Sequence, residues 1–255
     1  MADWEALCYF RQQRCAKEVV QLVAKSHGGQ FNVDAQQFLL RHCICDSVCQ
    51  VHPPSPAYLR RVLKYGIQKA EDQRMDLCEE LLKQYLSCMS MATDATGGSW
   101  CFKSFSYGPA LKVEEDDRVG TNLHIACSQP PDTDPKVGYR AHELITLRVS
   151  ENMLEGATGC HPWEAGFLLG EFILNNPVLF SGRSILELGS GTGLVAVCLA
   201  RVGARLAILT DGQQKAVENC RHNLNLNGIK HTAVDPSLLD FRKCVVSLMS
   251  SVGSG

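Results

Sequence analysis

Residues 185–194 read ILELGSGTGL, and the reading of this stretch decides the fold. Its first half, extended to SILELG at 184–189, is an apolar run broken only by Glu187, the pattern of a strand in a buried parallel sheet. Glycine then recurs at every second position, Gly189, Gly191 and Gly193, before LVAVCLARVG at 194–203, which has the spacing of a helix. RLAILTD at 205–211 reads as a second buried strand, and QKAVENCRHNLNLNG at 214–228 as a helix ended by Gly228. Strand, helix, strand, helix predicts a right-handed parallel α/β unit.

The glycines lie between a strand and a helix, at the carboxyl end of the strand, where open α/β sheets bind ligands. Gly189 permits a sharp turn, Gly191 lets the backbone approach a ligand, and Gly193 lets the helix start close to the sheet. A dinucleotide fingerprint would read G-x-G-x-x-G; here the spacing is G-x-G-x-G and Leu194 holds the sixth position. Glu187 at the strand end would repel a pyrophosphate but attract an ammonium or sulfonium group. Asp211, at the tip of the next strand, is positioned to accept hydrogen bonds from the two hydroxyls of a ribose. An acid for a cationic amino-acid end, small residues for close approach and an acid for a ribose describe S-adenosylmethionine.

Upstream, WEAGFLLGEFILN at 163–175 has the spacing of an amphipathic helix. The first 92 residues read as a small helical domain. One helix is expected over 3–26, ended by His27-Gly28-Gly29, a second over 34–50, and a third over 73–91. Within HPPSPAYLRRVL, Ser55 is placed to cap a further helix with Pro56 in its first turn. Residues 93–150 read as a linker followed by strands, in SWCFKSFSY, ALKVEE and HELITLRVSE. The core runs over 151–228, and 229–255 reads as a divergent, disordered tail.

Composition is that of an ordinary globular protein, 45% apolar and 20% charged. A net charge of −2 gives no support to a nucleic-acid or membrane-surface partner. No apolar run reaches the length of a membrane span, and the N-terminus lacks a signal-peptide pattern, which points to the cytoplasm. Thirteen cysteines include Cys43, Cys45 and Cys49 near His42 and His52, but no second pair follows at zinc-ribbon distance. They read as free, reduced, buried apolar groups, with no metal site.

The motif E-L-G-S-G-T-G resembles the first motif of the seven-β-strand methyltransferases. The wider set, TGCHPWEAGFLLGEFIL, ILELGSGTGLVAVCLARVGA, ILTDG and VENCRHNLNLNG, resembles the lysine-targeting branch called methyltransferase family 16. HPPS at 52–55 and the helical first hundred residues resemble the group within it that acts on elongation factor 2. The resemblance implies a Rossmann-like seven-strand α/β fold behind a small all-α domain, S-adenosylmethionine as cofactor, and a protein substrate, elongation factor 2, met by a monomer. It implies that Glu187, Gly189, Ser190, Gly191 and Gly193 line the cofactor's methionine and ribose, that Asp211 binds the ribose, and that Trp163 walls the pocket. Thr158 and Gly159 would shape the loop before it. Trp163 could equally be core at a helix start. His161 reads as a surface or core histidine rather than a base, and Asn219 and Asn223 read as structural. No catalytic residue is assigned.

The chain departs from the family after Gly228. The family's D-W stretch and the aspartate-valine-x-tyrosine-like strand that lines the lysine channel have no clear counterpart; Asp240-Phe241 is a weak echo. The reading is of a fold truncated at its C-terminus, with an exposed apolar sheet edge. A non-catalytic interaction protein using the helical domain is the alternative from another class. A nicotinamide oxidoreductase is disfavoured by Leu194 and Glu187.

Overall fold

The computed structural model describes residues 2–90, 100–107, 143–151, 158–234 and 245–249. The chain divides into two compact units, Met1–Thr93 with Lys103–Ile145, and Asp94–Phe102 with Thr146–Gly255. Strands β1 (Trp100–Tyr107) and β2 (Glu143–Ser150) pair in a two-stranded sheet.

In the first unit, residues 2–90 form α1 (Ala2–Arg11), α2 (Ala16–Ser26), α3 (Val33–Phe38), a π-helical turn (Leu39–Ile44), α4 (Ser47–Val51), α5 (Pro56–Asp72) and α6 (Glu79–Ser90). Phe10, Val19, Val23, Phe31, Leu39 and Leu63 are among the fully buried side chains of the core that joins these helices. The helix expected over 3–26 is broken at Gln12–Cys15, where Gln13 takes a left-handed φ of 52°. The one expected over 34–50 is three pieces, because Asp46 starts a new helix by accepting from the Cys49 amide. The same carboxylate receives Nε and Nη2 of Arg11 at 2.9 and 2.6 Å, an ion pair almost wholly removed from water.

Ser55 does cap α5: the Tyr58 amide donates to its Oγ at 3.1 Å, with Pro56 in the first turn. Ser55→Ala should cost about 1 kcal/mol. Urea unfolding would read it, and an unchanged midpoint would show that the cap adds nothing.

Cys43 and Cys49 are buried and Cys45 is exposed. Burial first, then charge repulsion from Asp46, pushes the Cys49 thiol up to about 12, so it packs as a small apolar group. Among the described residues no three His, Cys, Asp or Glu side chains gather as metal ligands. Among them, too, no helix is long and apolar enough to cross a membrane.

In the second unit, α7 (Glu164–Asn175) and the short α8 (Pro177–Phe180) precede β3 (Ser184–Leu188), α9 (Leu194–Arg201), β4 (Leu206–Thr210) and α10 (Gln214–Leu226). β3 and β4 are parallel, as the β-α-β pattern requires, with Ser184 opposite Leu206 and Leu188 opposite Thr210. Two further strands, β5 (His231–Val234) and β6 (Val245–Met249), complete a sheet of order β3-β4-β6-β5. β6 is antiparallel to both its neighbours.

Both strands fall in the segment read as a disordered tail, which is a correction. Runs this short, His231–Val234 and Val245–Met249, carry too little pattern to be told from coil; pairing of β6 with β4, and of β5 with β6, supplies the order. Residues 235–244 and 250–255 of that segment, and the ALKVEE strand, lie outside the described residues. A second correction concerns β3. Leu186 and Leu188 share one face of β3, an edge strand among the described residues, and are 49% and 66% exposed, whereas Ala207 and Leu209 of β4, register partners of Ile185 and Glu187 on the opposite face, are buried. On α7, Leu168, Leu169 and Phe172 are exposed as well, while Gly170 lets α7 close on Cys198 of α9.

Candidate cofactor site

The register of β3 against β4 brings the two predicted acids to one end of the sheet. Leu188 and Thr210 are the last partners, so the chain leaves both strands together, into Gly189 on one side and Asp211 on the other. The ladder continues one step into the loop, where the Ser190 amide donates to the Thr210 carbonyl at 2.8 Å. Thr210 Oγ1 returns a bond to the Glu187 carbonyl at 3.0 Å.

Gly189, Gly191 and Gly193 all have left-handed φ, 72°, 51° and 79°, which side chains rarely tolerate. Their surroundings differ. A Cβ on Gly189 would meet nothing within 4 Å, so this backbone faces open space. One on Gly191 would sit 3.2 Å from the Gly159 carbonyl oxygen. One on Gly193 would sit 2.7 Å from Sγ of Cys220. Open approach therefore falls to Gly189. Gly191 packs against the preceding loop, and Gly193 lets the turn close on α10 rather than on the sheet.

Asp211 holds this turn. Its Oδ2 accepts the Gly191 amide at 2.9 Å, and Oδ1 accepts the Gln213 amide at 3.0 Å ahead of α10. The carboxylate is already fixing the loop and remains half-exposed beside it. Glu187 is the converse case. Its Oε2 is buried and has no hydrogen-bond partner. Burial, then the Asp211 charge, raises its carboxyl to about 7. A buried, unsatisfied carboxylate oxygen beside a loop open at Gly189 is what a ligand carrying an ammonium or sulfonium would satisfy.

Trp163 is not core. It is 56% exposed at the N-terminus of α7, and its Nε1 donates to the Thr158 carbonyl at 3.2 Å. Thr158 and Gly159 belong to a 3-10 turn, Thr158–Cys160, whose Gly159 carbonyl faces Gly191. Trp163, Thr158, Gly159, Gly191 and Asp211 thus form one run of contacts, and Ser190 is buried within the turn. Sequence reasoning missed Thr192, which is buried in the turn and whose carbonyl accepts from Asn223.

A parallel β-α-β unit with a glycine turn between two acids at its strand ends makes this an α/β domain. Residues 142–251 match the model of the lysine methyltransferase family. The chain is 26% identical over 210 residues to protein-lysine N-methyltransferase EEF2KMT of Homo sapiens, covering 82% of this chain and 53% of that one. It is 30% identical over 158 residues to the putative protein N-methyltransferase FAM86B1 of Homo sapiens, covering 58% and 47%. It is 39% identical over 89 residues to protein-lysine N-methyltransferase EFM3 of Chaetomium thermophilum, covering 34% and 26%. The chain spans about half the length of the human relatives it matches.

Proposed function

We propose that this chain carries the cofactor-binding part of a protein-lysine N-methyltransferase that uses S-adenosylmethionine, with elongation factor 2 as its substrate. The observation that carries the cofactor is the buried, unpartnered Oε2 of Glu187 beside an open glycine turn. Glu187 would face the cationic end of the cofactor, Gly189 and Ser190 would let its body approach, and Asp211 would hold the ribose. Trp163, tied to Thr158, would form a wall. The bound cofactor supplies an electrophilic methyl group. The protein's part is to align it with a neutral lysine amine and exclude water, so positioning rather than acid–base catalysis carries the rate. The substrate rests on the similarity to EEF2KMT over most of this chain and on the HPPS and helical segments. A monomeric, cytoplasmic protein belongs to the same reading.

Thermal unfolding of the chain with and without S-adenosylmethionine tests it, since a ligand specific for the native state must raise the midpoint. Asp211→Ala removes the acceptor for the Gly191 amide as well as the ribose ligand. Hydrogen bonds to charged groups contribute about 1.5–3 kcal/mol each, so affinity should fall at least tenfold. A transition indifferent to the cofactor in the unmutated chain would falsify the assignment of this loop.

A further inference from the structure

Asn219, Asn223 and Asn227 recur every fourth residue, the first two on one face of α10 and the third as its C-cap in line with them. Four residues of helix advance about 6 Å, and two residues of a strand about 6.6–6.8 Å. Side-chain amides at that interval can therefore pair with alternate residues of a strand, and here they do. Asn227 accepts from the Thr146 amide at 3.0 Å and donates to the Thr146 carbonyl at 2.7 Å. Asn223 accepts from the Arg148 amide at 2.7 Å and donates to the Arg148 carbonyl at 3.2 Å. Asn219 donates to the same carbonyl at 3.1 Å and accepts Nε of Arg148 at 3.0 Å. The helix completes the hydrogen bonding of β2 as a neighbouring strand would.

The two clasps differ in one bond. Asn227 directs a further Nδ2 bond to its own helix, to the Asn223 carbonyl at 2.7 Å. Asn223 instead directs it to the carbonyl of Thr192 at 2.9 Å, inside the glycine turn. The peptide joining Thr192 to Gly193 is then held at both ends, because the Gly193 amide donates to the Ser190 carbonyl at 2.8 Å. That peptide leads into Gly193, whose left-handed φ of 79° and missing side chain leave it the freedom to flip. Asn223 is fully buried and Thr192 nearly so, leaving no water to replace the bond.

We propose that Asn223 is a positioning residue for the cofactor loop: its amide fixes the Thr192–Gly193 peptide and so presets the turn that receives the ligand. This rests on the reading of the turn as an S-adenosylmethionine site. Asn227 is a matched control in line with it, with the same clasp on β2 and no bond to the loop.

The test is calorimetric titration of S-adenosylmethionine into the full chain and into Asn223→Leu and Asn227→Leu, with urea unfolding of each. Both variants should be destabilised to a similar extent. Only Asn223→Leu should weaken cofactor binding, by tenfold or more, with Asn227→Leu within twofold of the unmutated chain. Equal weakening, or none, overturns the proposal while leaving the cofactor reading standing. No binding to the unmutated chain overturns both. Should Asn223→Leu fail to fold, the side-chain amide resonances of the unmutated chain decide. Those of Asn223 should move on saturation while those of Asn227 stay; the absence of that difference overturns the proposal.

Discussion

Gly193→Val should abolish S-adenosylmethionine binding and destabilise the second unit by about 2–5 kcal/mol. The estimate joins two effects: about 1–2 kcal/mol for a side chain held in the left-handed region, and about 1–3 kcal/mol for overpacking a close-packed interior. Both operate at this residue. Its φ is 79°, and its Cβ would lie 2.7 Å from Sγ of Cys220. Cys220 is fully buried and cannot swing into solvent. Burial pushes its thiol up to about 12, so it stays a neutral packing group.

The two effects can be separated. Cys220→Ala removes Sγ and leaves Cα and Cβ at 3.6 Å from the new methyl, an ordinary contact. Gly193→Ala should therefore cost at least 1 kcal/mol less in a Cys220→Ala background than alone, leaving mostly the backbone strain. Urea unfolding of the four chains measures that coupling. Additive costs would mean that the clash is relieved by movement of α10, and that Gly193 is required for its φ alone.

What was legible in the sequence was what glycine and periodicity state directly. The three loop glycines are needed because three consecutive alternate residues take positive φ. Asp211 was legible because a strand of five residues, Leu206–Thr210, fixes where its tip falls. What Asp211 does was not. Its bond to the Gly191 amide spans 20 residues and depends on the β3–β4 register.

The asparagine recurrence was visible, but its target, β2, lies 71 to 81 residues away in the chain, and nothing local points to it. The break between α1 and α2 was missed because Gln13, neither Gly nor Asn, takes the left-handed turn. β3 was misread for a different reason. An apolar run states what a strand would bury, not whether a neighbour is present to bury it. Leu186 and Leu188 point to a face that no described residue covers fully.

Cofactor affinity should fall about tenfold for each pH unit below about 7, and Glu187→Gln should remove that dependence. The carboxyl of Glu187 is raised from 4.5 to about 7 by burial first and by the Asp211 charge second. Both causes oppose the ionised form, so the unliganded protein holds this group as the acid through a window where the unfolded chain does not. With the native state binding the extra proton, stability falls as pH rises from about 4.5 to about 7, by no more than about 3 kcal/mol. Above that window the carboxylate is present, unpaired, and costly.

A cationic ligand reverses the balance. It requires the ionised form and relieves its cost, so the proton must leave before binding, and at pH 6 about nine molecules in ten carry it. Calorimetry with S-adenosylmethionine at pH 6, 7 and 8 measures the slope, and buffers of different ionisation enthalpy count the proton released. Glu187→Gln cannot ionise. Its unliganded form should lose the decline in stability between about pH 4.5 and about 7, and its affinity should be low at every pH. Equal affinity of the unmutated chain at pH 6 and pH 8 would place the cationic group away from Oε2, and would leave that buried oxygen as a strain in the fold with no ligand to relieve it.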